Sequence, residues 1–177
     1  MLLMAIYKYG EFTPKIDPSA WIFPSADIIG NVEVGKGVYI GAGAVLRGDY
    51  CKIIIEEGAA IEEQVCIHAS PGSETIVKKN AVIGHKAMLH KCIIHEDAVI
   101  GMNAVVTNNA EIGEGAIIAE GAVVKNRDII PPHMIAAGVP AKIRGPVPKS
   151  TQRVWLQAGK IYRQLAIDYK TKLIKLK

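Results

Sequence analysis

Residues 94–130, broken every six positions, read IHEDAV IGMNAV VTNNAE IGEGAI IAEGAV VKNRDI I. Every block opens on an aliphatic residue: Ile94, Ile100, Val106, Ile112, Ile118, Val124 and then Ile130. An alanine follows four positions later at Ala98, Ala104, Ala110, Ala116 and Ala122. Six is a multiple of two but not of 3.6, so the pattern suits short strands and not helices. Glycine, asparagine and aspartate between the apolar positions supply the left-handed or tight backbone of corners.

The beat extends towards the N-terminus. It passes through Ile16, Ile22, Ile28, Val34, Ile40 and Leu46, then Ile55, Ile61 and Ile67, then Val77, Ile83 and Leu89, and drops one residue before Ile94. No hexad can bury its aliphatic residue alone, whereas stacked coils bury all of them in one column. The spacing therefore predicts an all-β fold, a parallel β-helix of hexapeptide repeats. Three hexads per turn make a triangular prism. A β-sandwich gives no reason for so many in-phase positions.

The repeat is expected to end near Ile130, where Pro131-Pro132 stops regular pairing. A glycine- and proline-rich linker follows through Pro148. A C-terminal α-helix is expected from about Ser150 to Leu173, with Ser150 or Thr151 as N-cap and an apolar stripe of Trp155, Ala158, Tyr162, Leu165 and Tyr169 facing the prism. The expected domains are thus 1–148 for the β-helix and 149–177 for the helix packed on it.

Composition narrows the function. The chain has 177 residues, half of them hydrophobic (50%), and a net charge of +4 concentrated in a basic tail. That argues against disorder and against a nucleic-acid groove. Three cysteines without a CxxC pair argue against a disulfide framework and a thiolate zinc knuckle. No apolar run approaches membrane-spanning length, and the first residues are too short and polar for a signal peptide. A cytoplasmic protein is expected, with Met1 or Met4 as its start.

Counting hexads registers the histidines. Leu46 to Ile67 is three steps, and so is Ile67 to Leu89, so Arg47, His68 and His90 stack on one corner of successive coils. Adjacent coils lie about 4.8 Å apart, which lets two imidazoles reach one metal ion. His85 lies one face earlier, on the column of Glu63 one coil below. It is expected to serve the pair of a second subunit. Three histidines and an open position are a catalytic zinc constellation, and a closed trimer repeats it at three interfaces. The hexad breaks at Leu46–Ile55 and Ile67–Val77 are expected to loop out beside this site. His95 and His133 read as ordinary surface residues.

Several motifs together resemble the γ-class carbonic anhydrases and their phenylacetate-operon and carnitine-operon relatives. They are Gly30-Asn31-Val32, Leu46-Arg47-Gly48-Asp49, Cys66-Ile67-His68, the run from Ile83 to Cys92 with its IGHxxxLH core, Gly101-Met102-Asn103 and Gly138-Val139-Pro140-Ala141-Lys142. The resemblance implies a left-handed β-helix and a homotrimer. It implies a zinc ion, with iron(II) or cobalt(II) as substitutes, held by His68 and His90 of one subunit and His85 of its neighbour. It implies reversible hydration of carbon dioxide to bicarbonate by a metal-bound hydroxide. Arg47 and Asp49 resemble the family's intersubunit ion pair, although a simple corner salt bridge fits them equally. Where the family carries Asn-x-Gln-Asp, this chain has Ala60-Ile61-Glu62-Glu63. Glu62 is then a proton carrier and Glu63 a carboxylate behind His85, or both are solvated surface groups. The family's tyrosine before the Gly-x-Pro motif is replaced by Met134 or Ile135. Two alternatives stay open: a coenzyme A-dependent acyltransferase or thioesterase with a histidine base, and a trimeric scaffold without catalysis.

Overall fold

The computed structural model describes residues 5–176, so the choice between Met1 and Met4 lies outside the described residues. The hexads become two- and three-residue strands that stack in parallel as a left-handed β-helix. One face is a sheet that includes Trp21–Ile22, Tyr39–Ile40, Ala60–Ile61, Val82–Ile83, Val99–Ile100 and Ile117–Ile118. The other two faces belong to one sheet, because Val45–Ile55 is a single strand that turns the corner between them. On one side of that corner it pairs with Cys66–His68, and on the other with Glu74–Val77.

The period-six residues form the core. Ile28, Leu46, Ile67, Leu89, Ile94, Ile100 and Ile112 are fully buried, and the alanines four positions later fill the corners. In-register pairing of Leu89 with Ile67, and of Ile67 with Leu46, follows the hexad count. Two glycines are dictated by close approach. Gly30 has φ +74° and a Cβ there would strike the carbonyl oxygen of Gly48. At Gly84 a Cβ would lie 2.8 Å from the carbonyl oxygen of Ile100 on the next coil. Left-handed corners are not confined to glycine and asparagine: Lys86 (φ 60°) and Lys91 (φ 51°) follow His85 and His90 directly.

Three expectations are corrected. The Leu46–Ile55 break is not a loop; the extra residues lengthen a strand that stays paired with Asp27–Val34, with a register shift between Gly30 and Val32. Only the second break turns outward, around Ser70–Gly72. The repeat does not stop at Ile130: Met134–Ala137 adds in parallel to Ile117–Ile118, and Lys142–Pro146 closes the end as an antiparallel strand. Pro131-Pro132 is accommodated because it sits at a corner, where no ladder hydrogen bond is needed. The helix, α1, runs Lys149–Lys172 and its N-cap is Pro148, without a side-chain cap. The Gln152 amide donates to the Pro148 carbonyl (3.0 Å), which leaves Ser150 and Thr151 inside the first turn.

The predicted stripe on α1 faces the prism, but its closest approach is made by Gly159 and Ala166, the two buried residues of the helix. Small side chains let the helix backbone sit near the sheet. Trp155, Tyr162, Leu165 and Tyr169 flank them and pack on Tyr39, Ala60 and Val82. α1 therefore covers the face whose strands lead into Glu62 and His85. No helix among the described residues is long and apolar enough to cross a membrane.

Candidate functional site

His68 and His90 end the strands Cys66–His68 and Met88–His90, and are direct partners in the parallel ladder. Their ring centroids lie 5.3 Å apart at 53°. One nitrogen from each can reach a common ion, since zinc–nitrogen bonds are about 2.0–2.1 Å. The ring of His90 is fixed from behind: its Nδ1 donates to the Asn108 side-chain oxygen. That leaves Nε2 as the ligating nitrogen of His90. The donor set and spacing fit half of a metal site.

His68 presents Nε2 to Asp49 Oδ1 at 3.1 Å. Asp49 in turn takes a 2.6 Å bond from Arg47 through Oδ2 and the Tyr50 amide at 2.9 Å through Oδ1. Burial pushes the Asp49 carboxyl up, but the hydrogen bonds from Arg47, His68 and the Tyr50 amide together hold it below its ordinary value. Within one chain Arg47 and Asp49 thus pair with each other, and through Asp49 they orient His68.

His85 stands apart on the next face. Its Nδ1 lies 2.7 Å from Glu63 Oε2 and its Nε2 2.9 Å from Glu62 Oε2. The His85 backbone amide also donates to Glu62 Oε2, at 3.1 Å. Glu63 occupies the column position below His85, as the register of Val82–Ile83 on Ala60–Ile61 requires. Glu62 is 4% exposed, which excludes the solvated-surface reading for it, whereas Glu63 remains half-buried. Burial pushes the Glu62 carboxyl above its ordinary value, against the opposing effects of a Tyr162 hydrogen bond and the His85 charge.

Among the described residues of one chain, no three histidine, cysteine, aspartate or glutamate side chains converge on a metal position. A groove of about 590 Å³ runs past Tyr50, Cys51, Lys91 and Cys92, but none of the three histidines lines it. The histidine chemistry therefore lies at corners, not in an intrachain pocket. All three cysteines are free, and burial pushes the Cys92 thiol up to about 12. Asn108, Tyr39 and Tyr162 were absent from the sequence-derived site. Asn108 had a signal: it lies 18 residues after His90, one coil on.

Fold and corners define a left-handed β-helix of hexapeptide repeats with histidines paired across adjacent coils. The chain belongs to the bacterial transferase hexapeptide family, in the group of the carnitine operon protein CaiE. The family pattern, "Bacterial transferase hexapeptide (six repeats)", matches residues 13–48 and 91–126. The CaiE of Citrobacter koseri is 43% identical over 141 residues, 80% of this chain and 72% of that protein. The CaiE of a Proteus strain is 46% identical over 99 residues, 56% of this chain; the match spans only half (50%) of that relative's length. Among solved structures, the BC4754 gene product of Bacillus cereus, a presumed acetyltransferase, superposes with a TM-score of 0.92 at 36% identity, covering 94% of this chain and 96% of that one.

Proposed function

We propose that the chain is the subunit of a cytoplasmic homotrimeric metalloprotein that hydrates carbon dioxide reversibly. One observation carries this reading: His68 and His90 stand in register on adjacent coils with rings 5.3 Å apart, while His85 faces another side of the prism. Two ligands on one corner and a third that cannot join them within the chain call for a second copy. When bound, zinc, or iron(II) or cobalt(II) in its place, supplies a Lewis acid that brings the pKa of water towards about 7. His68, His90 and the His85 of a second copy would hold it. The residues around them have separate tasks. Asn108 orients His90, and the Arg47–Asp49 pair orients His68. Glu63 holds Nδ1 of His85, and Glu62 is the buried carboxylate able to hold a proton at Oε2.

A second reading is acyl transfer from coenzyme A. Its support is the grip of two carboxylates on His85, the arrangement that orients a general base, together with the likeness to the Bacillus cereus protein. The readings separate in two measurements on protein purified without chelators or a histidine tag. The metal reading expects about one ion per chain by elemental analysis and hydration in stopped flow that is lost with His90→Ala. A metal-free protein, inactive after loading with zinc, iron(II) or cobalt(II) but saturable with coenzyme A, transfers the assignment to acyl transfer.

A further inference from the structure

Beyond the histidines and their nearest carboxylates, one tyrosine hydroxyl reaches the cluster around His85. The Tyr39 hydroxyl donates to Glu63 Oε1 at 2.8 Å. Glu63 Oε2 lies 2.7 Å from Nδ1 of His85, and Glu62 Oε2 lies 2.9 Å from its Nε2. Tyr39 lies on the prism face at 2% exposure, and Tyr162 comes from α1. Their rings pack together at 5.3 Å.

We infer that Tyr39 is a positioning residue of the proposed site, acting on His85 through Glu63. A carboxylate beside a histidine can rotate, and each glutamate has two oxygens to offer. Glu63 spends one oxygen on Tyr39 and the other on His85, which fixes its plane. Burial, the hydrogen bond to Glu63 and the Glu63 charge push the Tyr39 phenol above its ordinary value, so it remains a protonated donor. The carboxylate beside Nδ1 of His85 is thus itself held from the neighbouring coil.

The inference rests on His85 being a working side chain of the site, and its test is independent of metal and turnover. Chelator-treated protein, labelled with nitrogen-15 on histidine, is compared at one pH by long-range nitrogen–proton spectra. Tyr39→Phe is expected to move the His85 Nδ1 signal more than Nε2, with His68 and His90 unmoved. Tyr169→Phe is the control: its ring stacks on Tyr39, 6.1 Å away, but its hydroxyl holds neither glutamate among the described residues. If Tyr39→Phe moves His85 no further than Tyr169→Phe does, or moves all three histidines together, Tyr39 is a packing residue and the inference is overturned. Selective movement in a protein that proves metal-free upholds the positioning role and removes only the metal reading.

Discussion

The proposed division of one site between two chains of a trimer has a numerical consequence. A His85→Ala chain keeps the pair His68 and His90 but cannot complete its neighbour's site. A His90→Ala chain has the opposite defect. Each variant alone is expected to bind no metal. Mixed in equal amounts, unfolded and refolded together, they form four kinds of trimer. Random assembly leaves about one quarter of the trimers pure, with no intact site. Every mixed trimer, of either composition, has one interface of its three where an intact pair meets an intact His85. The mixture therefore recovers about one quarter of the wild-type metal content. Elemental analysis after gel filtration reads it directly, and stopped flow on the same sample should recover the same fraction of activity. Mixing without unfolding should recover nothing until subunits exchange. A refolded mixture that stays empty, while wild type refolded alongside it fills, refutes the shared site. Metal retained by either variant alone refutes the ligand assignment.

Two further outcomes follow from the same structure. Asn108→Ala removes the group that orients His90; loss of such a partner costs about 10–100-fold in metal affinity, and a neutral amide belongs near the lower end, while Asn108→Asp should tighten binding. Competition against a zinc-sensitive chelator measures both, and an unchanged affinity in Asn108→Ala removes its role. Leu89→Ala deletes a fully buried side chain from the middle of the column; three lost carbons at about 0.8 kcal/mol each, plus the cavity, amount to about 3–4 kcal/mol. Ile16→Ala, at the half-buried end of the column, should cost about 1–2 kcal/mol; equal shifts of the urea midpoint would contradict the stacked-coil account of the core.

The fold was legible because one physical requirement recurs every six residues. Ile28, Leu46, Ile67 and Leu89 each point inward from a short strand, so counting them gives the register without any long-range knowledge. The same count paired His68 with His90 and set Glu63 beneath His85. It failed where the chain departs from the repeat. The residues between Leu46 and Ile55 looked like an insertion, yet they extend a strand, because Asp27–Val34 offers a matching edge. Met134–Ala137 was missed because two prolines masked one more coil. The burial of Glu62 was invisible for another reason: it follows Ala60–Ile61 on the face covered by α1, a hundred residues away in sequence. Tyr39 looks like an ordinary core aromatic until its hydroxyl is seen to end on Glu63. Gly159 and Ala166 were passed over because a stripe is sought among large residues, whereas closest approach falls to small ones.

The two functional readings meet at one atom. Nε2 of His85 can serve Glu62 or an ion in a neighbouring chain, but not both. Under acyl transfer the Glu62 bond is the resting arrangement of a base. Under the metal reading Glu62 must release the nitrogen when subunits close. Release is eased because Glu62 keeps the His85 backbone amide at 3.1 Å. A buried carboxylate left with a donor is not stranded, whereas one left with none costs several kcal/mol. Glu63 meanwhile stays on Nδ1, anchored by Tyr39. A carboxylate on Nδ1 fixes the tautomer in which Nε2 carries the lone pair and faces outward, as metal-ligating histidines require. The two glutamates that depart from the family pattern therefore allow His85 to be held in the free chain and offered in the assembled one.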